Sequence, residues 1–227
     1  MGDVVALNPV RLPGPDSRMA VVGSTGSGKT FAGVWHLSMT DWNTARPWFI
    51  IDFKRDKLLS KLGATLHKLG DKIPREPGLY IVQPMPTPED EARMVDFLWQ
   101  IWANENTGLY FDEGYMVGNR NPAFRALLTQ GRSKLIQMII LSQRPVWMDR
   151  FVFSESDFFM LFRLNDRRDK DTVQSMISVQ VKERLPEYHS LYYDVSRDSG
   201  NILGPVPNRA QLIETFHARK RKQWRVA

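Results

Sequence analysis

The sequence has 227 residues, a formal net charge of +6 and no cysteine. That length suits one well-buried α/β domain with small appendages, and the lack of cysteine excludes disulfides and thiolate metal sites. No apolar run approaches the ~18 residues that a membrane-spanning helix needs.

In chain order, residues 1–17 carry Pro9, Pro13, Gly14 and Pro15 and are expected to form an extended arm without the basic start and apolar core of a targeting signal. Met19 to Val22 is a short buried-type strand that runs into Gly23-Ser24-Thr25-Gly26-Ser27-Gly28-Lys29-Thr30. This octet satisfies G-x-x-x-x-G-K-[ST] and precedes a helical apolar pattern (Phe31, Val34, Trp35), the context that separates a phosphate loop from a chance Gly/Ser turn. Gly23, Gly26 and Gly28 are expected to adopt backbone conformations closed to other residues, so that N–H groups turn inward around a polyphosphate. Lys29 is expected to reach the β/γ-phosphates of ATP and the Thr30 hydroxyl to ligate Mg²⁺, with the helix aiming its positive end at the anion.

The helix should end near Thr40. Trp48 to Lys54 is a second buried-type strand ending in Asp52-Phe53-Lys54, at the end of the sheet where open α/β folds place ligands. A strand-end Asp capping the next turn and a solvated Lys explain that pair equally well. Residues 55–78 read as a short helix and a Pro/Gly-rich connection, and Leu79 to Val82 as a small strand. Thr87-Pro88-Glu89-Asp90 then caps a helix with Val95, Leu98, Trp99 and Trp102 at i, i+3, i+4 and i+7, tryptophans expected in the core.

Gly108 to Glu113 is an apolar strand that delivers two adjacent carboxylates. Buried neighbouring acids are costly without a cation, so Asp112 is expected to hold Mg²⁺ and Glu113 to polarise the attacking water as general base. After a glycine-bearing loop to Arg120, Asn121-Pro122 opens a helix with Phe124, Leu127 and Leu128 inward, ending near Gly131 with Arg132 following. Leu135 to Leu141 is a third buried strand, and Gln143 at its tip is a neutral donor and acceptor suited to sensing the γ-phosphate or positioning water. A strand at Phe158 to Leu164, a charged helix from Asp166 to about Ile177, a hairpin (Leu191 to Val195, Ile202 to Val206) and a helix from about Asn208 to Trp224 complete the chain. The last helix ends in Arg219, Lys220, Arg221, Lys222 and Arg225, a basic tail suited to phosphate or an acidic membrane surface, or simply solvated. The four histidines lack metal-ligand spacing.

Taken in order, GSTGSGKT, IIDFK, LYFDE and QGRSKLIQMIILSQRP resemble the FtsK/HerA superfamily of DNA-pumping ATPases over roughly residues 18–180. The resemblance implies a RecA-like α/β P-loop NTPase, a mostly parallel central sheet flanked by helices. It implies a single ATPase domain over 1–227, with an arm (1–17), an ATPase core (18–180) and a small hairpin and basic helix (181–227). By position, Gly23 to Thr30 bind ATP, Asp112 supports Mg²⁺, Glu113 activates water, and Gln143 is the polar sensor on the strand between the phosphate-loop strand and the Asp112-Glu113 strand. Arg132 matches the arginine finger that enters a neighbouring subunit's site, which implies a homo-oligomeric ring, expected to be a hexamer; a surface Arg at a helix C-terminus is the plainer reading. The chain's size resembles the genome-packaging ATPases of membrane-containing icosahedral viruses such as the tectiviruses. That implies double-stranded DNA and capsid-vertex proteins as partners and a place at the virion packaging vertex and in the host cytoplasm. Arg120 and the basic tail are then candidate DNA contacts, with peripheral membrane contact as the tail's other use. A filamentous-phage or conjugation motor of the same superfamily and a small P-loop kinase are the alternatives.

Overall fold

The structure, a computed structural model, describes residues 10–118, 121–181 and 185–223. Arg120, Arg225 and the first nine residues of the expected arm lie outside the described residues.

Apolar and β-branched runs give β1 (Arg18–Val22), β2 (Pro47–Asp52), β3 (Thr65–Leu66), β4 (Gly78–Val82), β5 (Gly108–Asp112), β6 (Gln137–Ser142), β7 (Phe158–Leu161), β8 (Ser190–Asp194) and β9 (Ser199–Leu203). They form one sheet in the order β3-β4-β2-β5-β6-β1-β7-β8-β9. Pairing is parallel from β3 through β7 and antiparallel for β7–β8 and β8–β9, so the C-terminal hairpin extends the main sheet. The helices are α1 (Lys29–Ser38), α2 (Pro88–Asn104), α3 (Pro122–Gln130), α4 (Arg150–Ser154), α5 (Arg167–Gln174) and α6 (Arg209–Gln223). Every residue of β1, β2, β5 and β6 is buried, because helices cover both faces of the sheet and leave no polar side. Val34 and Leu37 of α1 and Leu212 and Phe216 of α6 pack with Met19, Val21 and Ile50 on one face. Phe97 and Leu98 of α2 and Leu127 and Leu128 of α3 pack with Ala20, Phe49 and Ile140 on the other.

Local chemistry sets the helix starts. The Thr87 hydroxyl accepts from Asp90 N at 3.3 Å ahead of Pro88, and the Asn121 side chain accepts from Phe124 N at 3.0 Å ahead of Pro122. The inward stripe of α2 is Met94, Phe97, Leu98 and Ile101, which corrects the expectation of a core Trp99 and leaves Trp102 half-buried at the edge of the core. Trp99 is 39% exposed, and Trp102 lies under the Lys134 ammonium, 3.9 Å from its ring centre, with its indole N–H donated to Gln130. Both stripes have helical spacing and share Leu98. The buried one brings Phe97 edge-on to Phe49 at 5.3 Å, and the Trp102 indole N–H finds its polar partner, Gln130, at the edge of the core.

Two further corrections follow from backbone chemistry. β6 starts at Gln137 and not at Leu135, because Leu135 takes a left-handed φ of 53°, is 45% exposed, and closes a turn in which Ile136 N reaches Gly131 O at 2.9 Å. Two of the tail cations face inward: Arg219 donates to the carbonyls of Ser38, the last residue of α1, and of Thr40 beyond it and lies over the Trp42 ring, and Lys220 donates to Gly63 O. Helix ends leave carbonyls without partners, and these cations supply them. Arg221 and Lys222 remain exposed. The strand Thr65–Leu66 and the helix Arg150–Ser154, absent from the sequence expectation, are too short to carry a period.

Candidate active site

The carboxyl ends of β1, β2, β5 and β6 lie along one margin of the sheet, and the loops leaving them carry the phosphate loop, Lys54, Asp112-Glu113 and Gln143. As expected, β6 runs between β5 and β1, so Gln143 stands between the phosphate loop and the acidic pair.

The phosphate loop is tied to its neighbours at both sides. Gly23 N donates to Ser142 O at 3.2 Å, and Ser24 gives both its N–H and its hydroxyl to Arg163 O at 3.0 Å. Gly26 and Gly28 have φ of 77° and 100°, the left-handed region the motif calls for. Gly23 differs from the expectation: its φ is ordinary, and it is needed because a Cβ there would stand 2.5 Å from Phe162 Cβ and 2.6 Å from Ser27 Oγ. Gly28 caps α1, which starts at Lys29. A Cβ on Gly33 would meet Leu141 at 2.9 Å and Tyr110 at 3.0 Å, so its absence lets α1 lie close against the sheet.

Lys29 is buried, and its Nζ stands 3.8 Å from Glu113 Oε1; burial lowers its pKa, Glu113 opposes that shift, and Lys54 adds to it. Glu113 follows β5 with a left-handed φ of 69° and a side chain only 1% exposed. Lys54 Nζ pairs with its Oε1, and Gln143 N donates to its Oε2 at 3.1 Å. The Thr25 hydroxyl donates to Gln143 Oε1 at 2.6 Å, so a continuous hydrogen-bonded chain joins the phosphate loop to Glu113. Asp112 is buried among carboxylates. Burial, then Glu113, raises its pKa to about 7, with Asp56 and Asp52 adding to the rise and Lys54 countering it.

Asp52 and Lys54, left open by the sequence, part company here. Asp52 is a cap and strand tie, accepting from Asp56 N at 3.0 Å and Gln83 Nε2 at 3.1 Å, whereas Lys54 reaches the acidic pair. Arg132 lies at the opposite margin of the sheet, where the parallel strands begin. It pairs with Asp157, which precedes β7 and accepts from Arg18 N. With 57% of its side chain exposed, it faces away from the phosphate loop of its own chain.

Beside the phosphate loop opens a cavity of about 640 Å³, lined by Gly28, Lys29 and Thr30 and walled by Phe162, Tyr188 and Val206. That volume suits a small-molecule ligand, and its apolar walls suit a flat ring. The three wall residues come from separate segments and carry no motif, so only the folded chain brings them together.

Asp112 ends β5 beside Glu113, which stands 3.8 Å from Lys29, and Thr30 follows Lys29 on α1; with other acids raising its proton affinity, Asp112 fits a divalent cation. Among the described residues no three His, Cys, Asp or Glu gather into a metal cage. Such a cation would therefore take its remaining ligands from water and phosphate, as Mg²⁺ commonly does.

No protein-family model matches the chain. Over 225 residues, spanning 94% of this chain and 98% of the relative, it is 45% identical to the DNA packaging ATPase P9 of Enterobacteria phage PRD1. Among solved structures, the genome packaging NTPase B204 from Sulfolobus turreted icosahedral virus 2 in complex with AMPPCP has a TM-score of 0.68 at 20% identity, over 85% of this chain and 100% of that one. VirB4 of Thermoanaerobacter pseudethanolicus has a TM-score of 0.66 at 10% identity, over 86% of this chain and 90% of that one. At those identities the two structures speak for the fold alone.

Proposed function

The chain belongs to the family of the PRD1 DNA packaging ATPase P9, and from that premise we propose that it hydrolyses ATP to drive double-stranded DNA into a preformed viral capsid. The observation that carries the reading is the meeting of Lys29 and Glu113, 3.8 Å apart and 84 positions apart in sequence, at one margin of the sheet. Residues 1–227 act as one ATPase domain in this reading, with an arm (1–17), a core (18–180) and a hairpin and basic helix (181–227).

The phosphate loop from Gly23 through Ser24, Thr25, Gly26, Ser27 and Gly28 to Lys29 and Thr30 binds the triphosphate, its glycine turns and the start of α1 presenting N–H groups to the anion. Lys29 meets the terminal phosphates as a cation. Glu113 takes the proton of the attacking water, and the Gln143 N–H holds the carboxylate in place while the Gln143 amide is itself fixed by Thr25. Thr30 and Asp112 would hold Mg²⁺, which when bound neutralises charge on the phosphates. Arg132, on the far margin, serves a neighbouring copy, where a planar guanidinium stabilises charge developing at the γ-phosphate. Such head-to-tail contacts close into a ring, for which we propose six copies at the packaging vertex, bound to capsid-vertex proteins and to DNA.

The test is phosphate release with and without duplex DNA. Wild type is expected to be stimulated, and Lys29→Ala and Glu113→Gln each to lose about 10²–10⁴-fold in kcat, the range of a lost acid-base or charge contribution. Full activity in either variant removes the site assignment, and a phosphorylated metabolite in place of free phosphate makes the protein a kinase.

A further inference from the structure

Lys54 stands two residues beyond β2 with 43% of its side chain exposed, yet its ammonium is committed to the buried Glu113. Both oxygens of that carboxylate are engaged: Oε1 by Lys54, with Lys29 at 3.8 Å, and Oε2 by Gln143 N. Each oxygen keeps a second acceptor site, but with the side chain only 1% exposed the two donors occupy the directions still open, which leaves little room for a water molecule to hydrogen-bond. Glu113 as described is therefore held out of use.

The loop carrying Lys54 is anchored at both ends and open between them. Asp52 accepts from Asp56 N, and Asp56 accepts in turn from Leu58 N at 2.6 Å, which fixes the turn. Between these anchors Arg55 takes a left-handed φ of 56°, and Lys54, Arg55 and Lys57 are all exposed. Three exposed cations in four residues are more than one γ-phosphate requires, because Lys29 already faces that position. They suit a polyanion whose phosphates repeat along a line.

We propose that the loop from Phe53 to Lys57 binds the phosphodiester backbone of DNA, and that Lys54 restrains Glu113 until a DNA phosphate takes over its ammonium. This rests on the motor reading and supplies its regulation: hydrolysis proceeds where DNA is engaged. Lys54 is here a positioning residue acting through Glu113.

The experiment measures kcat and KM for ATP, with and without duplex DNA, in wild type, Lys54→Met and Lys54→Arg. Lys54→Met is expected to raise the DNA-free kcat about fivefold, the size set by one partly exposed ion pair, with KM unchanged and stimulation by DNA falling toward one. Lys54→Arg is expected to restore the low DNA-free rate. In parallel, Lys57→Gln is expected to weaken duplex binding and to lower the slope of log affinity against log salt by about 0.9. An unchanged DNA-free rate with full stimulation in Lys54→Met overturns the proposal. A fall in kcat with and without DNA also overturns it and assigns Lys54 to the γ-phosphate of ATP. If wild type itself ignores DNA while Lys29→Ala still abolishes phosphate release, the motor reading fails along with the loop; stimulation in wild type and equally in Lys54→Met removes the loop alone. Melting temperatures of the variants confirm that each is folded, with Lys54→Gln replacing Lys54→Met if it is not.

Discussion

Asp112 and Glu113 are chemical neighbours with different surroundings. Glu113 is met by two ammonium groups and a backbone N–H, while Asp112 is left with burial and other acids, and its pKa rises to about 7. If Asp112 holds Mg²⁺ as proposed, a proton and the cation compete for the same carboxylate, so Mg²⁺-dependent ATP binding is expected to weaken about tenfold per unit as pH falls below 7. Isothermal titration with Mg²⁺ and ATP at pH 6 and pH 8 measures this, and Asp112→Asn should abolish the slope along with tight binding. The sign for stability is the reverse. Without metal, the folded chain holds a proton between pH ~4 and 7 that the unfolded chain has released, so stability falls as pH rises through that window. Asp112→Asn without metal should therefore melt higher than wild type at pH 8, by about 2–4 °C for each kcal/mol relieved.

At the scale of elements, α6 is fastened at Arg219 and Lys220, where the sequence suggests a basic tail for phosphate, an acidic membrane surface or solvent. Arg219→Ala removes charged donors from the carbonyls of Ser38 and Thr40 and uncovers Trp42, and is expected to cost about 2–4 kcal/mol in thermal or denaturant unfolding. Lys222→Ala, at an exposed position of the same helix, should stay within about 0.5 kcal/mol. The contrast marks how far the sequence could be read. The phosphate loop, the Asp112-Glu113 strand end and the caps at Thr87 and Asn121 were legible because spacing and residue type together determine their local geometry. What could not be read depends on partners distant in the chain. Arg219 looks like Lys222 until the end of α1 arrives beside it, and Trp102 looks like a core residue until Lys134 covers it. Asp52 and Lys54 separate into a cap and a cation only when β5 brings Glu113 alongside β2. Gly23 fits the motif as a glycine of free backbone but is needed for its lack of a side chain, which no local pattern distinguishes.

On the scale of the whole molecule, the sheet separates the two parts of the proposed machinery. The residues assigned above to nucleotide occupy one margin and Arg132 the other, so a single chain does not bring Arg132 to its own phosphate loop. Mixing Arg132→Ala with Lys29→Ala, each inactive alone, is expected to restore activity at about one junction in four of a randomly mixed ring. Phosphate release from the mixture, with particle size measured on the same sample, checks this, and absence of any rescue in a confirmed ring removes the trans role. Asp157 bears on the same proposal, since an Arg132 serving a neighbour would have to leave it.

α1 begins at Lys29 and ends beneath Arg219, a rigid rod about 15 Å long between the phosphate loop and the C-terminal helix. Trp42 lies at the far end of that rod, stacked on Phe216 at 5.7 Å and covered by the Arg219 guanidinium. An indole so enclosed is a natural optical gauge: among seven tryptophans, its share of the change in ultraviolet emission on adding ATP is the part expected to vanish in Trp42→Phe, measured against wild type without attaching a dye.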